Sequence, residues 1–228
     1  MTGISVPSGK SIALPLNALT AKNPTFSVHV KARGGAVVGW IQQKTLRGTV
    51  AGGADLIAPT ASAAKNLVIP GFFVRGAKDA AKLQASNQDF ADLTDLVRIT
   101  NPSKSEASVV VQVIGATAST FGTVVQAKVA ANSTIDLPIS SLSDGDYAIF
   151  IQSSRDVLAA AKLNRTGLAS KQITDFAWLP AVDSSGGERT FVVPKVGISK
   201  LALANGTKDS VSFTITLGGA TTAHTPVS

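Results

Sequence analysis

The sequence predicts an all-β fold built from two immunoglobulin-like β-sandwich modules, and three observations support this. Hydrophobic residues make up 44% of the 228 residues and charged residues only 15%, so the chain can bury a core. The apolar residues are mostly Ala, Val, Leu and Ile, and they alternate with Ser and Thr, which is typical of half-buried strands. Two long stretches of sequence also recur along the chain, and such recurrence indicates duplicated structural units.

The first recurrence links the beginning of the chain to its second half. The segment VPSGKSIALPLNAL (6–19) is similar to VAANSTIDLPISSL (129–142). The similarity continues from residues 25–44 to residues 146–165. We call this recurring stretch the back half of a module.

The second recurrence runs in the opposite direction. The segment LVRITNPSKSEASVVVQVIG (96–115) is similar to KLALANGTKDSVSFTITLGG (200–219), and Asn101 aligns with Asn205. We call this stretch the front half of a module. The chain then has the order back, front, back, front, and only the middle module, near residues 95–194, has its halves in the natural order.

The order of the halves allows two interpretations of the domain organisation. Either the chain is cut from a longer array, or its two ends pair with each other. An unpaired half would expose an apolar sheet face and open strand edges, which favours pairing. We therefore predict a discontinuous module of residues 1–72 plus 195–228 and a continuous module of residues 73–194.

Individual strands follow from short apolar runs with a period of two. The predicted strands are FSVHVKA (26–32), SVVVQVIG (108–115), DYAIFIQS (146–153), FVVPKVGI (191–198) and VSFTITLG (211–218). The segment 129–142 predicts a further short strand, and its Pro138 indicates a sheet edge because proline lacks the backbone donor.

One segment departs from the strand pattern. Residues 76–95, GAKDAAKLQASNQDFADLTD, contain Ala80, Leu83, Phe90 and Leu93 near helical spacing. We therefore predict a short helical or irregular insertion there.

The net charge of +7 is unevenly distributed, because the first 54 residues contain six cations and no acid. Such a segment favours contact with a polyanion or an acidic partner. The predicted contact residues are Lys10, Lys31, Arg33, Lys44 and Arg47. Sequence-specific nucleic-acid binding is not expected, since the aromatic stacking platforms and recognition motifs are missing.

The sequence predicts no catalytic, cofactor-binding or metal-binding residues. There is no cysteine, and the only histidines are His29 and His224, so a catalytic triad or a zinc site has few candidate residues. Asp144 and Asp146 could contribute to a calcium site, but two carboxylates in one turn are more often turn residues. Trp40 and Trp178 lie in strand-like contexts, which favours core packing over a sugar platform.

The chain has no apolar run of membrane-spanning length, and residues 1–20 lack the features of a signal peptide. We therefore expect that Met1 is the start of a cut chain from which any signal or anchor has been removed.

Two stretches carry a family resemblance: TLRGTVAGGADLIAPTASAAKNLVIPG (45–71) and ITDFAWLPA (173–181). Their Leu-Arg-Gly, Gly-Gly-x-Asp, Ala-Pro-Thr-Ala and Val-Ile-Pro-Gly motifs resemble, in this order, those of a family of actinobacterial envelope proteins of unknown function. The resemblance implies a secreted or membrane-anchored protein that is longer than this chain. It implies no catalytic residues.

Together with the location that the resemblance implies, outside the cell or on its surface, these observations favour a non-enzymatic structural or adaptor protein of the bacterial cell envelope. Its expected partner is an envelope protein or an anionic wall glycan, with no cofactor. The alternative is a carbohydrate-binding module or an accessory subunit for envelope glycan assembly. A third possibility is a hydrolase that uses the dispersed carboxylates Asp175, Asp183 and Glu188.

Overall fold

The computed structural model describes residues 4–16, 25–117, 120–167, 173–183, 190–191, 197–217 and 220–223. The strands are β1 (Ile41–Arg47), β2 (Val50–Ile57), β3 (Ala64–Val74), β4 (Leu96–Asn101), β5 (Ala107–Gly115), β6 (Thr123–Val129), β7 (Ser133–Pro138), β8 (Gly145–Gly167), β9 (Ile173–Pro180), β10 (Val182–Asp183), β11 (Thr214–Leu217) and β12 (Ala220–Ala223). One α-helix, α1 (Ala77–Ser86), and one 3₁₀ helix (Gln88–Leu93) lie between β3 and β4. The predicted all-β class is confirmed in that the described chain consists mainly of open antiparallel sheets.

Strand β8, 23 residues long, organises the folded body. Its first half pairs with β3 on one side and β5 on the other, while β10 and β6 extend this group of strands outward. Its second half pairs with β4 and β9, and β7 extends the second group beyond β4. We call these two groups the β3 layer and the β4 layer.

The two layers enclose a common core. Ile149 and Ile151 from the first half of β8, together with Val97 and Ile99 from β4, are at most 1% exposed and belong to one apolar cluster. Their neighbours along each strand point outward, so each layer has one dry face and one outer face. Burial of such apolar side chains is the main stabilising contribution to a fold of this kind.

The central strands confirm the sequence pattern closely. In β5 the alternating residues Val109, Val111 and Val113 are buried, and the first half of β8 alternates in the same way. The predicted edge strand is also confirmed, because β7 ends at Pro138 and, among the described strands, pairs only with β4. An edge position leaves the missing donor of proline without cost to the sheet.

The predicted helical insertion is confirmed as α1 followed by the 3₁₀ helix. Leu83 and Leu93 are buried beneath them. The N-cap residue of α1 is Gly76, so no N-cap side chain bonds to the backbone of the first turn. Instead, the Asp144 carboxylate accepts hydrogen bonds from the backbone N–H groups of Gly76 and Ala77 at 2.9 and 2.8 Å, which satisfies donors that every helix leaves open at its N-terminus.

The segments that flank the folded body do not follow the sequence pattern. Residues 26–32 were predicted as a strand, but the structure has no strand there, so this prediction is wrong. The predicted strand 211–218 is present only as β11, and most of the predicted strand 191–198 lies outside the described residues. We name residues 4–16 and 25–40 the N-terminal flank and residues 197–213 the C-terminal flank.

The division into modules of residues 1–72 plus 195–228 and of residues 73–194 stays a prediction. Strand β3 spans the proposed junction at residue 72 and pairs with β8 on both sides of it. Among the described helices, none has the length and apolarity needed to cross a membrane.

Candidate functional site

The outer face of the β4 layer carries a group of buried and half-buried polar residues next to the β1–β2 hairpin. We call this group the charged layer: Arg47, Asp92, Asp95, Lys162, Asn164 and Thr174. The hairpin crosses β9, so residues from both are within hydrogen-bonding distance of each other. Ionisable groups whose pKa is shifted by burial are candidates for function, and this face has two of them, Asp95 and Lys162.

Arg47 lies at the centre of the charged layer. Its Nη2 donates to both carboxylate oxygens of Asp92 at 2.7 Å, and its Nη1 donates to the Thr174 hydroxyl at 2.6 Å. Its guanidinium carbon also lies 5.2 Å from the Phe90 ring centroid. The Arg47 side chain is only 8% exposed. Through these bonds it links the hairpin to the 3₁₀ helix and to β9.

Lys162 occupies the middle of the same face. Its Nζ donates to the Asp92 backbone carbonyl at 2.7 Å and lies 5.4 Å from the Phe176 ring centroid. Burial lowers the pKa of the Lys162 ammonium, and the negative charge of Asp92 opposes this shift. Burial therefore disfavours the charged form of Lys162, and the Asp92 carboxylate offsets part of this desolvation cost.

Asp95 has the opposite perturbation. Burial raises the pKa of its carboxyl to about 6, although the backbone and side-chain N–H groups of Asn164 donate to it and favour the charged form. The Asn164 side chain also donates to the Thr94 carbonyl at 2.9 Å. Asp95 and Asn164 thus join the start of β4 to the second half of β8.

Trp178 of β9 extends the contact with the hairpin. Its indole N–H donates to the Gln43 side chain at 2.7 Å, and its backbone N–H donates to Asp55 at 2.6 Å. Arg98 stacks on the ring at 4.9 Å and forms an ion pair with Asp136 at 2.7 Å. The predicted core packing of Trp178 is confirmed, because only 9% of the residue is exposed.

A glycine explains how closely the hairpin approaches β9. Gly53 has a φ of +116°, and a Cβ at this position would lie 2.6 Å from the Asp175 carboxylate. Only glycine fits there without strain. The Gly-Gly-x-Asp motif of residues 52–55 lies within β2, and its Gly53 allows β2 to pack closely on β9.

The charged layer acts as a clamp that holds the hairpin on the body. Across the part of the chain that the structure describes, no buried side-chain nitrogen or oxygen lacks a hydrogen-bond partner. Its donors and acceptors are bonded to one another and largely removed from solvent, so the layer stabilises the packing of the hairpin on the body.

A second polar group lies in an open cleft of about 350 Å³ beside β8. Arg75 bonds to the Asp146 carboxylate, and Lys200 bonds to its other oxygen at 3.0 Å. Hydrogen bonds from Arg75 and then Lys200 lower the pKa of Asp146. The pKa of Asp144 is also lowered: burial opposes the shift, and the N–H groups at the start of α1 outweigh it. Both carboxylates therefore have structural partners, as the turn interpretation predicts.

The described residues contain no group of three or more His, Asp or Glu side chains that could hold a metal ion.

The structure separates the five predicted contact residues into two sets. Lys10, Lys31, Arg33 and Lys44 are exposed, and the first three lie in the N-terminal flank. Arg47 is buried and already bonded, so it has a structural role within the body. Contact with a polyanion stays a prediction for the four exposed cations.

One further sequence expectation has a clear outcome, and three residues of the charged layer were missed. Core packing is wrong for Trp40, which is 68% exposed at the end of the N-terminal flank. Lys162, Asn164 and Asp92 were not selected from the sequence. A signal for the first two was present, because they alternate with apolar residues in the second half of β8, AAAKLNR, where a polar side chain must find a partner.

Comparison with known proteins defines the family but not the function. No curated protein matches the chain in sequence. The crystal structure of Thermotoga maritima 1070 is similar to it at 11% identity and a TM-score of 0.40, covering 55% of this chain and 98% of that one. Anabaena sensory rhodopsin transducer is similar at 15% identity and a TM-score of 0.33, covering 45% of this chain and 99% of that one. Both likenesses are too remote to support an argument. A family model, by contrast, matches residues 1–227, and the chain therefore belongs to DUF5719, a family of unknown function.

Proposed function

We propose that this protein is a non-enzymatic structural or adaptor protein of the bacterial cell envelope. The observation that carries the proposal is the contrast between the body, whose strands enclose a buried apolar cluster, and its flanks. The flanks expose strand-forming apolar residues, among them Val30, Val38, Ile198 and Phe213, at 71, 87, 97 and 40% of their surface. Exposed apolar surface of this extent is typical of a site that binds another molecule.

The charged layer supports a binding role over a catalytic one. Lys162 and Asp95, the residues with the most perturbed environments, are hydrogen-bonded within the charged layer and largely removed from solvent. A catalytic group must reach its substrate. Their positions favour a role in holding the hairpin in place.

The proposal includes finer features that rest on sequence. These are two immunoglobulin-like sandwich modules, an actinobacterial origin and a location outside the cell or on its surface. The family resemblance and the recurring halves support them.

The exposed cations of the first 54 residues indicate the class of ligand that the protein binds. Lys10, Lys31, Arg33 and Lys44 are exposed, and no acid precedes Asp55 in the chain. An unbalanced positive segment attracts polyanions over a range set by the Debye length. The proposed ligand is an anionic wall glycan or an acidic surface of an envelope protein.

The test uses an immobilised anionic polysaccharide, polygalacturonate, and the full chain. Wild-type protein is expected to bind at low ionic strength and to elute in about 1 M salt, where the Debye length falls to about 3 Å. Changing Lys10, Lys31, Arg33 and Lys44 to Gln together should weaken binding by roughly ten-fold or more, since each removes an ion pair.

The control variant changes the exposed cations Lys65, Lys78, Lys82 and Lys104 to Gln, which removes the same net charge from the body. It should bind nearly as well as wild type. Equal losses of affinity in the two variants would mean that net charge, and not the position of the cations, determines binding. Failure of the wild-type protein to bind would refute the polyanion contact.

One observation favours a second candidate function, carbohydrate binding. Trp40 is 68% exposed, and an exposed indole can stack on a sugar ring. On this alternative a neutral glycan binds in a salt-resistant manner and Trp40→Ala abolishes binding. Loss of binding on Trp40→Ala but not on the four-cation change would favour it over the leading proposal.

A further inference from the structure

The front and back halves of the central module meet at a hydrogen-bonded asparagine turn. Asn101, which is fully buried, accepts from the Ser103 N–H and hydroxyl and donates to the Ser105 carbonyl. Its amide also donates to the carbonyls of Val129 and Ala130, at 3.0 and 3.2 Å, where the back half begins. One side chain therefore shapes the front-half turn and joins it to the back half.

The same turn recurs in the C-terminal flank at the aligned positions. Asn205 accepts from the Thr207 N–H at 2.9 Å and from its hydroxyl at 2.7 Å, and its amide donates to the Asp209 carbonyl at 2.7 Å. Thr207 and Asp209 occupy the positions of Ser103 and Ser105. The described contacts of the Asn205 amide do not include a back half.

The back half of the N-terminal flank also has the required turn. In the central module Asn132, with a φ of +51°, donates its backbone N–H to the Ser103 carbonyl at 3.0 Å. Gly9 aligns with Asn132 and has a φ of +69°. This left-handed conformation is rare outside glycine and asparagine, so its recurrence indicates the same local structure.

Burial is what differs between the two sets of halves. Val97 and Ile99 are fully buried, whereas the aligned Leu201 and Leu203 are 50 and 55% exposed. Leu137 is 9% exposed, and the aligned Leu14 is 51% exposed. Each flank therefore has the apolar pattern of a half module, and among the described residues no complementary half packs against it.

The two flanks contact opposite outer faces of the body. Residues 25–27 lie on the β4 layer, where Thr25 donates to Asp136 and Arg98 donates to the Phe26 carbonyl. Residues 200–202 lie on the β3 layer, where Lys200 pairs with Asp146 and its ammonium lies 5.6 Å from the Phe73 ring centroid. The apolar core lies between these faces.

We propose that the C-terminal flank of one copy of this chain binds the N-terminal flank of a second copy, and that the two flanks complete one module between them. A second copy is the occupant favoured by the structure because it presents the missing half on an accessible face. The contact joins different surfaces of the two copies, which is the head-to-tail geometry that forms rings or filaments. This inference goes beyond the proposed function, since it requires no polyanion.

The central module specifies the contacts of the joint. The Asn205 amide should donate to the Val6 and Pro7 carbonyls, as Asn101 does to Val129 and Ala130. The Gly9 N–H should donate to the Thr207 carbonyl. Ser11 should lie opposite Ala204, because the aligned Thr134 and Thr100 pair across β7 and β4 with their hydroxyls 3.0 Å apart.

Engineered disulfides test this joint, and the wild-type chain has no cysteine to interfere. Two full-length single variants, Ser11→Cys and Ala204→Cys, are mixed, with a tag on one to identify the mixed dimer. Opposed strand positions have the separation that a disulfide needs. The mixture should form the mixed covalent dimer roughly ten-fold faster than a control mixture of Ser11→Cys with Ser210→Cys, because docking raises the effective concentration.

A further change links the crosslink to the asparagine turn. Asn205→Asp removes the amide donor and points a carboxylate at the Val6 and Pro7 carbonyls. Combined with Ala204→Cys, it should reduce mixed crosslinking to the control rate while the circular dichroism of the body stays unchanged.

The competing arrangement is closure within one chain. The double variant Ser11→Cys/Ala204→Cys would then form an intrachain disulfide at high dilution, while the mixture of single variants would crosslink only at the control rate. That result, or a wild-type mass in light scattering that stays monomeric at every concentration, would overturn the proposal. A mass that rises with concentration together with mixed crosslinking would support it.

Discussion

The central body and the flanks of this protein contain closely similar sequences but have different structures. Strand β4 and its neighbours bury their alternating apolar residues, whereas the aligned residues of the C-terminal flank are about half exposed. The turn at Asn205 nevertheless keeps the hydrogen bonds of the turn at Asn101. The comparison teaches that a turn can form from local sequence alone, while a strand needs a partner.

The largest expected effect tests whether burial separates the two regions. Ile149→Ala removes a fully buried side chain of β8 and should lower the free energy of unfolding by about 2–5 kcal/mol, since it leaves a cavity. Ile198→Ala, in the C-terminal flank, removes a side chain that is 97% exposed and should change it by less than about 0.5 kcal/mol. Urea denaturation measures both. Comparable losses would mean that the flank contributes to the same cooperative unit.

Asn101 and Asn205 allow the body and the C-terminal flank to be compared at the same residue type. Asn101→Ala empties a fully buried position and removes the amide that donates to the Val129 and Ala130 carbonyls, and it should cost about 2–3 kcal/mol of unfolding free energy. Asn205→Ala, in an exposed turn, should cost less than about 0.5 kcal/mol in the dilute protein. The measurement is urea denaturation at low protein concentration. A large loss at Asn205 under these conditions would indicate that its turn is already docked.

Asp95 makes the stability of the body depend on pH. Its carboxyl has a pKa of about 6 in the folded chain and an ordinary value of 3.8, so between these values the unfolded chain ionises first. Stability should therefore fall as the pH rises from about 4 to about 6, by roughly 2 kcal/mol after allowance for partial exposure of the carboxyl.

Asp95→Asn keeps an oxygen that can accept from Asn164 and removes the charge. It should flatten the pH dependence in this window and raise the stability at pH 7. Thermal unfolding at a series of pH values is the measurement. If the variant retains the full slope between about pH 4 and 6, another group causes it.

The smallest expected effect on stability concerns two cations of the same hairpin strand. Arg47→Met removes the bonds to Asp92 and Thr174 and should lower the free energy of unfolding by about 1–2 kcal/mol, because Asp92 remains partly solvated. It should also increase amide hydrogen exchange over residues 41–57. Lys44→Met, at an exposed position, should leave both unchanged. Faster exchange in both variants would show that the hairpin depends on general charge and not on the clamp.

Sequence reasoning reached the strands of the body because their residues alternate in burial. The period of two in β5 and β8, Pro138 at an edge and the helical spacing of Leu83 and Leu93 all correspond to observed elements. It failed for residues 26–32, which have the same pattern but no strand. Alternation reports the capacity to pair, and pairing also requires a second strand at the correct position.

The charged layer was less accessible to prediction. Arg47 was predicted to contact a polyanion or partner, because the sequence does not show that Asp92 and Thr174 converge on it from distant parts of the chain. The separations of 45 and 127 residues place these contacts beyond any local pattern. Lys162 and Asn164 carried only the indirect signal of polar residues within an apolar strand.

The sequence by itself determined the all-β class, the helical insertion and the apolar periodicity of both flanks, because each depends on neighbours a few residues apart. Only the tertiary structure decided which copies of the pattern became strands, which cations were buried and where the hairpin docked. These outcomes depend on which distant surfaces meet, since burial and desolvation are properties of a pair of surfaces and not of a single segment.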